Sequence, residues 1–129
     1  MSEVKLQSQL RAAFAFQCID KASKSMLQSE LKELRSYIQK MPAMIQMNGF
    51  GQTVAFYKAH MGQQKGAIAY QMLYSWLSTW LKEQEIFKQD LMQAICEGSM
   101  HQYQLATTET QALLAWLVKF ARAYIKSEE

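Results

Sequence analysis

The sequence is poor in the residues that break a chain or cross-link it. Its 129 residues include one proline, five glycines and two cysteines. Cys18 and Cys96 stand alone, without the paired spacing of a metal or redox motif. Because the opening residues MSEVKLQSQL show no apolar leader, we expect a reducing, cytoplasmic compartment. A chain of this length can bury a core of its own, so we expect one domain over residues 1–129.

Long hydrophobic runs and acidic residues are also scarce. Half of the residues are hydrophobic, but polar residues interrupt every window before it reaches the roughly 20 residues of a membrane span. We therefore expect a soluble protein with no membrane partner. Residues 34–82 contain no Asp or Glu, while the cations of that stretch are Arg35, Lys40, Lys58, Lys65 and Lys82. Because a carboxylate repels phosphate, a surface that binds a polyanion has a physical reason to omit acids.

Apolar residues recur at intervals of three and four, which predicts an all-α fold. We expect a compact bundle of six or seven helices, several of them short. The first is predicted over about 3–23, with Cys18 on its buried face. A weak capping box of Ser25 and Gln28 opens the second. That helix is predicted to stop at Met41, because the residue before a proline avoids helical dihedrals.

The segment MPAMIQMNGFGQT, residues 41–53, holds the proline and two of the glycines. Pro42 and Gly49 are predicted to bracket a short separate helix, pinned to the core by Met44, Ile45 and Met47. Further helices are predicted over 50–62, 67–81, 86–96 and 108–126, the last opened by a second capping box of Thr108 and Gln111.

Catalytic groups are few. Cys96 and His101 are the closest pair of potential metal ligands, at a spacing that matches no common zinc pattern. Gly49-Phe50-Gly51 is not a phosphate loop, since the third glycine would fall at Val54 and no strand precedes it. His60 has no nucleophile beside it in sequence, so a surface histidine at a helix end is the preferred interpretation. We predict no catalytic residue, no metal and no cofactor.

The last helix carries a row of cations. Lys119, Arg122 and Lys126 fall within about 60° of one another at 100° per residue, opposite much of the face formed by Leu113, Leu117 and Tyr124. Cations in a final turn also complement the helix dipole without any partner, and that alternative stays open. Together with the acid-free stretch, the row favours sequence-independent binding of nucleic acid. The candidate nucleic-acid-binding residues are Arg11, Lys21, Lys24, Arg35, Lys58, Lys65, Lys119, Arg122 and Lys126.

Two motifs resemble a known family. The pattern P-A-x-I-x-x-N-G-F-G-Q-T-x-A-F, from Pro42 to Phe56, is similar to the signature of the small helical subunit of Cmr-type, type III-B CRISPR effector complexes. The pattern T-x-E-x-x-x-L-L-x-W-L-x-x-F-A-x-A, from Thr107 to Ala123, is similar to that family's C-terminal helix. One departure is Phe50, where the family often has Leu.

The resemblance implies an accessory subunit without an active site, present in several copies. Such subunits stack along a filament of backbone subunits that holds the guide RNA, and they help to shape the channel for the target RNA. The implied partners are therefore the other subunits, further copies of this chain, and guide or target RNA. Two alternatives remain: a structural spacer that binds only protein, and a small helical hydrolase that uses His60.

Overall fold

The computed structural model describes residues 5–62 and 65–126, and within these ranges it contains helices and no strand. The six helices are α1 (Gln7–Ser25), α2 (Gln28–Asn48), α3 (Phe50–Ala59), α4 (Ala67–Glu83), α5 (Leu91–Glu97) and α6 (Met100–Tyr124). The prediction of an all-α bundle of about six helices is confirmed.

Four long helices form the body of the bundle, and pairs of side chains define their directions. Arg11 of α1 contacts Glu109 of α6, and further along Phe16 contacts Tyr124, so α1 and α6 run in parallel. Gln111 contacts Pro42, while Gln28 lies near the end of α6, so α2 is antiparallel to α6.

The interior between these helices is apolar. Its fully buried side chains include Leu34, Ile38, Leu73, Leu77, Leu113, Leu114 and Leu117. Each burial contributes roughly 1.5–3 kcal/mol relative to an exposed position. The three-and-four spacing of the sequence therefore becomes one core shared by α2, α4 and α6. Cys18 is also buried in this core, as predicted.

Pro42 does not end α2, so the predicted stop at Met41 and the predicted short helix are wrong. The helix continues through the proline to Asn48. A proline inside a helix costs about 3 kcal/mol, because one hydrogen bond is lost and the ring crowds the preceding turn. On either side of it Ile38, Met41 and Ile45 are buried, and their combined burial outweighs that cost. Met47, expected in the core, is instead 81% exposed.

Gly49 separates α2 from α3, as its residue type predicted. Its φ of 89° is reached at little cost only by glycine. Tyr103 of α6 packs against this break, and its hydroxyl accepts a hydrogen bond from the amide of Gly51 at 2.9 Å. The turn is thereby fixed to α6.

Three predicted helix starts are wrong, and in each case another residue satisfies the backbone. In α2 the carboxylate of Glu30 accepts from the Leu27 amide, so Ser25 is not the cap. The predicted helix over 86–96 shortens to α5, which Asp90 caps. Helix α6 begins eight residues before Thr108, because Ser99 and Gln102 form the capping box instead.

Candidate nucleic-acid interface

The solvent-facing side of α6 and the chain just past its end carry three cations, Lys119, Arg122 and Lys126, which we call the cationic stripe. All three side chains are exposed. Lys119 and Arg122 lie opposite the buried side chains of Leu113 and Leu117, because a helix turns about 100° per residue. Lys126 follows two residues after the helix ends, beyond the extended Ile125, so its predicted place on the helical face is wrong. The predicted placement of Lys119 and Arg122 on one exposed face is therefore confirmed.

No acidic residue interrupts the stripe on the described part of α6. The last carboxylate of that helix is Glu109, more than two turns before Lys119. Ala115 is exposed one turn before Lys119, and Ala123 is exposed between Arg122 and Lys126. Small side chains leave room for an extended ligand to approach the helix, and the charges that follow Glu109 on α6 are all positive. This surface attracts anions without offering a shape that selects one base.

Helix α2 extends the positive surface along one edge of the stripe. The Nε of Arg122 donates to the side-chain oxygen of Gln39 at 3.4 Å across the seam between α6 and α2. Arg35 lies one turn before Gln39 on the same helix, and its buried Nε has no hydrogen-bond partner among the described residues. A buried donor without a partner costs about 1–3 kcal/mol. Arg35 therefore adds positive charge on the α2 side of the seam, although its buried Nε is out of reach of a bound anion.

Arg11, the first of the candidate cations, is occupied inside the bundle. Its Nε and Nη2 donate to the two oxygens of Glu109 at 2.7 and 3.0 Å. The indole of Trp80 donates to the same carboxylate at 2.9 Å. Burial opposes ionisation of Glu109, but the hydrogen bonds from Arg11 and Trp80 prevail and lower its pKa. This cluster joins α1, α4 and α6, and we leave Arg11 out of the interface.

The two other candidates on α1 also lie apart from the stripe. Lys24 pairs with Asp20 at 3.2 Å, one turn before it on α1. Lys21 lines a cavity of about 700 Å³ between α1 and α4, which has Phe14, Trp76 and Trp80 in its walls. Cys18 is at the base of that cavity, where burial raises its pKa to about 12.

Lys58 and Lys65 form a third group near α3 and α4. The Nζ of Lys58 lies 5.1 Å from the centre of the Tyr74 ring, and its charge helps to lower the pKa of Asp90, against the opposing effect of burial. Lys65 is exposed just before α4. On α2, the ring of Tyr37 faces this group through Tyr70, about 200° around the helix from Arg35.

The nine candidates therefore fall into three groups, and the cations of the acid-free stretch do not converge on one surface. Arg35, Lys119, Arg122 and Lys126 form the group beside the seam of α2 and α6, where Arg122 contacts Gln39 and Arg35 lies one turn before Gln39. The sequence showed that residues 34–82 contain no acids, but it did not show which way the cation-bearing face of each helix points. For Arg35 and Lys58, that direction follows from the contacts of α2 and α3 with their neighbours.

An aromatic row beside the cationic stripe was missed by the sequence analysis, which placed Tyr124 on the apolar face of the last helix. The row consists of Phe16, Trp116, Phe120 and Tyr124. Neighbouring ring centres on α6 are 5.6 and 6.2 Å apart, and Phe16 contacts Phe120 and Tyr124 at 5.8 and 5.7 Å. Phe16 is 42% and Tyr124 is 57% exposed. The spacing of four residues between the rings was the available signal.

His60 lies at the end of α3, the position expected of a surface histidine. Its Nδ1 is 2.8 Å from the carbonyl oxygen of Phe56, and its ring packs against Phe56 and Tyr70. Within residues 5–62 and 65–126, no three His, Cys, Asp or Glu side chains are grouped to hold a metal ion. Among the helices of these ranges, none is both long and apolar enough to span a membrane.

Comparison with known proteins defines the class of this helical bundle. A family model described as CRISPR-associated protein (Cas_Cmr5) matches residues 7–124. The crystal structure of a CRISPR-associated Cmr5 family protein from Thermus thermophilus superposes with a TM-score of 0.74 and 25% sequence identity. The match covers 95% of this chain and 100% of that one.

The chain therefore belongs to the Cmr5 family of CRISPR-associated proteins, which are subunits of the Cmr-type, type III-B effector complex. The family match includes both motifs that carried the resemblance, from Pro42 to Phe56 and from Thr107 to Ala123. Other subunits of that complex are its partners.

Proposed function

We propose that this chain is a non-catalytic subunit of a cytoplasmic, RNA-guided complex, and that it lines the target-RNA channel through sequence-independent phosphate contacts. The observation that carries the proposal is the cationic stripe of Lys119, Arg122 and Lys126, exposed on a face without acids. The same bundle packs against backbone subunits and against further copies of itself.

The chemistry of the stripe and its edge favours phosphate over bases. Lysine ammonium groups bind phosphate as point charges, whereas a guanidinium binds two phosphate oxygens at once. Arg122 lies at the junction of the two helices, where it contacts Gln39, and Arg35 adds a second guanidinium one turn before Gln39 on α2. Contacts of this kind position an RNA strand without reading its sequence. A target channel has to accept any target, so it needs this kind of binding.

Charge reversal tests the proposal in the reconstituted complex. Lys119→Glu with Arg122→Glu replaces two attractive charges with two repulsive ones, and each exposed pair is worth about 1 kcal/mol in water. We expect capture of target RNA to weaken by at least about tenfold. The matched control is Lys82→Glu with Lys88→Glu, which reverses two exposed cations outside the stripe. Equal affinity of the stripe variant and the wild type would refute the phosphate-contact role.

A structural spacer without RNA contact is the second candidate, and the cavity between α1 and α4 favours it. Leu10 lines that cavity beside the buried Trp76 and is 40% exposed, so the cavity leaves an apolar side chain open to solvent. A partner subunit that filled the cavity would account for it. In that case the Lys119 and Arg122 variant keeps its RNA affinity, while Trp76→Ala lowers co-purification with the backbone subunits.

A further inference from the structure

The aromatic row of Phe16, Trp116, Phe120 and Tyr124 has no role in the phosphate contacts. Its rings on α6 are one turn apart, so they form a line along the helix axis. Phe16 packs edge-on against Phe120 and Tyr124, at interplanar angles of 79° and 80°. These contacts hold the rings in place, while Phe16 and Tyr124 keep about half of their surface in water. The row is a fixed aromatic surface.

The row runs beside the cationic stripe along the same helix. Lys119 precedes Phe120 in the chain and lies one turn after Trp116. Ala123 is exposed beside Phe120 and Lys119, so no large side chain separates rings from cations there. From Lys119 to Tyr124 the two features share about 7.5 Å of the axis of α6. A ligand along α6 therefore meets rings on one side and positive charges on the other.

The charges around the row favour an anionic ligand. On α1, the acid closest in sequence to Phe16 is Asp20, and Lys24 neutralises it at 3.2 Å. On α6, the last described acid is Glu109, which lies about 10 Å along the helix before Trp116 and is held by Arg11. A carboxylate-rich protein partner would also be attracted here, but it would not need four rings. Rings beside cations are the combination that single-stranded nucleic acid requires, since every base has a face that stacks.

We propose that the aromatic row stacks unpaired RNA bases while the cationic stripe holds the phosphates of the same strand. The inference rests on the proposed function and restricts its ligand to unpaired RNA. Bases inside a duplex are already stacked on one another and cannot stack on these rings. The ligand is therefore single-stranded RNA, bound through base faces without selection among bases.

Binding of two probes to the full-length chain at low salt tests the inference. One probe is oligoadenylate, and the other is a sugar-phosphate oligomer of the same length without bases. Base stacking on an aromatic side chain is lost on alanine substitution, at a cost of about tenfold in affinity. We expect Tyr124→Ala and Phe16→Ala each to weaken oligoadenylate binding by about this factor. Binding of the abasic probe stays unchanged, and Tyr124→Phe retains wild-type affinity.

A matched control separates stacking from a general loss of apolar surface. Phe56 is 41% exposed, close to the 42% of Phe16, but lies on α3 beside His60. Phe56→Ala should therefore leave both affinities unchanged. Trp116 provides an independent readout, because a base that stacks on the row quenches its fluorescence. Trp76 and Trp80 are buried, so their fluorescence is a constant background with either probe.

The outcomes that overturn the inference differ from those that overturn the proposed function. Equal loss on both probes, no loss on either, or no binding of wild type to oligoadenylate overturns base stacking. If Phe16→Ala and Tyr124→Ala spare RNA binding but weaken association between copies of the chain, the row is a protein interface. Failure of Lys119→Glu with Arg122→Glu to weaken the abasic probe instead contradicts the phosphate contacts.

Discussion

Replacement of Glu109 tests the cluster that joins three helices. Glu109 accepts hydrogen bonds from Arg11 at 2.7 and 3.0 Å and from Trp80 at 2.9 Å. In Glu109→Ala the guanidinium and the indole lose their acceptor together. Loss of one partner of a fully buried ion pair costs about 3–5 kcal/mol. Because the Arg11 and Glu109 side chains remain 22% and 13% exposed, we expect the low end of that range, about 3 kcal/mol.

Thermal unfolding followed by circular dichroism measures this loss. For a domain of this size, about 3 kcal/mol corresponds to a decrease of roughly 10 °C in Tm. Glu109→Gln keeps an acceptor for Trp80 and should lose less than Glu109→Ala. The control Glu97→Gln alters an exposed carboxylate and should change stability by no more than about 0.5 kcal/mol. A Glu109→Ala protein with the wild-type Tm would refute the reasoning.

The pH dependence of the difference in stability between wild type and the Glu109 variants provides a second check. The folded state lowers the pKa of Glu109 below its ordinary value of 4.5, since the hydrogen bonds from Arg11 and Trp80 outweigh the effect of burial. The stabilisation is therefore fully present above about pH 4.5 and is lost as the pH falls through the lower, folded-state pKa. The gap in stability between wild type and Glu109→Gln should shrink in that acidic range. A gap that widened on acidification would contradict the assignment.

Two backbone substitutions test the path from α2 to α3. Pro42→Ala restores a helical hydrogen-bond donor, so it should raise the free energy of unfolding, measured by urea titration, by about 1–2 kcal/mol. The gain is smaller than the full cost of an interior proline, because alanine gives the unfolded chain more conformational freedom. A destabilised Pro42→Ala protein would show that the packing depends on the proline ring. Gly49→Ala forces a side chain into φ of 89° and should cost about 1–3 kcal/mol. Unchanged stability on urea unfolding would disprove that strain.

Periodicity predicted the main features of the fold because burial follows it directly. The three-and-four pattern placed Cys18 and Ile45 inside, and both are buried. The residue type of Gly49 predicted the break after α2, since the positive φ there excludes other residues in practice. These features depend on local sequence or on a face that any core must cover.

The helix boundaries were less predictable because tertiary contacts compete with local signals. Pro42 is a strong local stop, yet Met41 and Ile45 gain enough by burial to continue α2 through it. Thr108 has the sequence of a capping box, but Ser99 and Gln102 form one earlier and leave Thr108 inside α6. A local motif therefore predicts a cap only where the chain has not already begun a helix.

The candidate site was predictable only within a single helix. Lys119 and Arg122 share a face because they share α6, so helical geometry alone places them together. The pairing of Arg11 with Glu109 spans 98 positions of sequence, and no local sequence pattern predicts it. The same holds for the contact of Arg122 with Gln39, which makes α2 part of the positive surface.

The salt dependence of target-RNA capture by the reconstituted complex tests the role of the stripe most directly. For single-stranded RNA, the logarithm of affinity falls with the logarithm of salt concentration, with a slope of about −0.7 for each phosphate contact. If Lys119, Arg122 and Lys126 each bind one phosphate, their joint replacement by alanine should make the slope shallower by about 2 for each copy that contacts the strand. A variant complex with the wild-type slope would contradict the account.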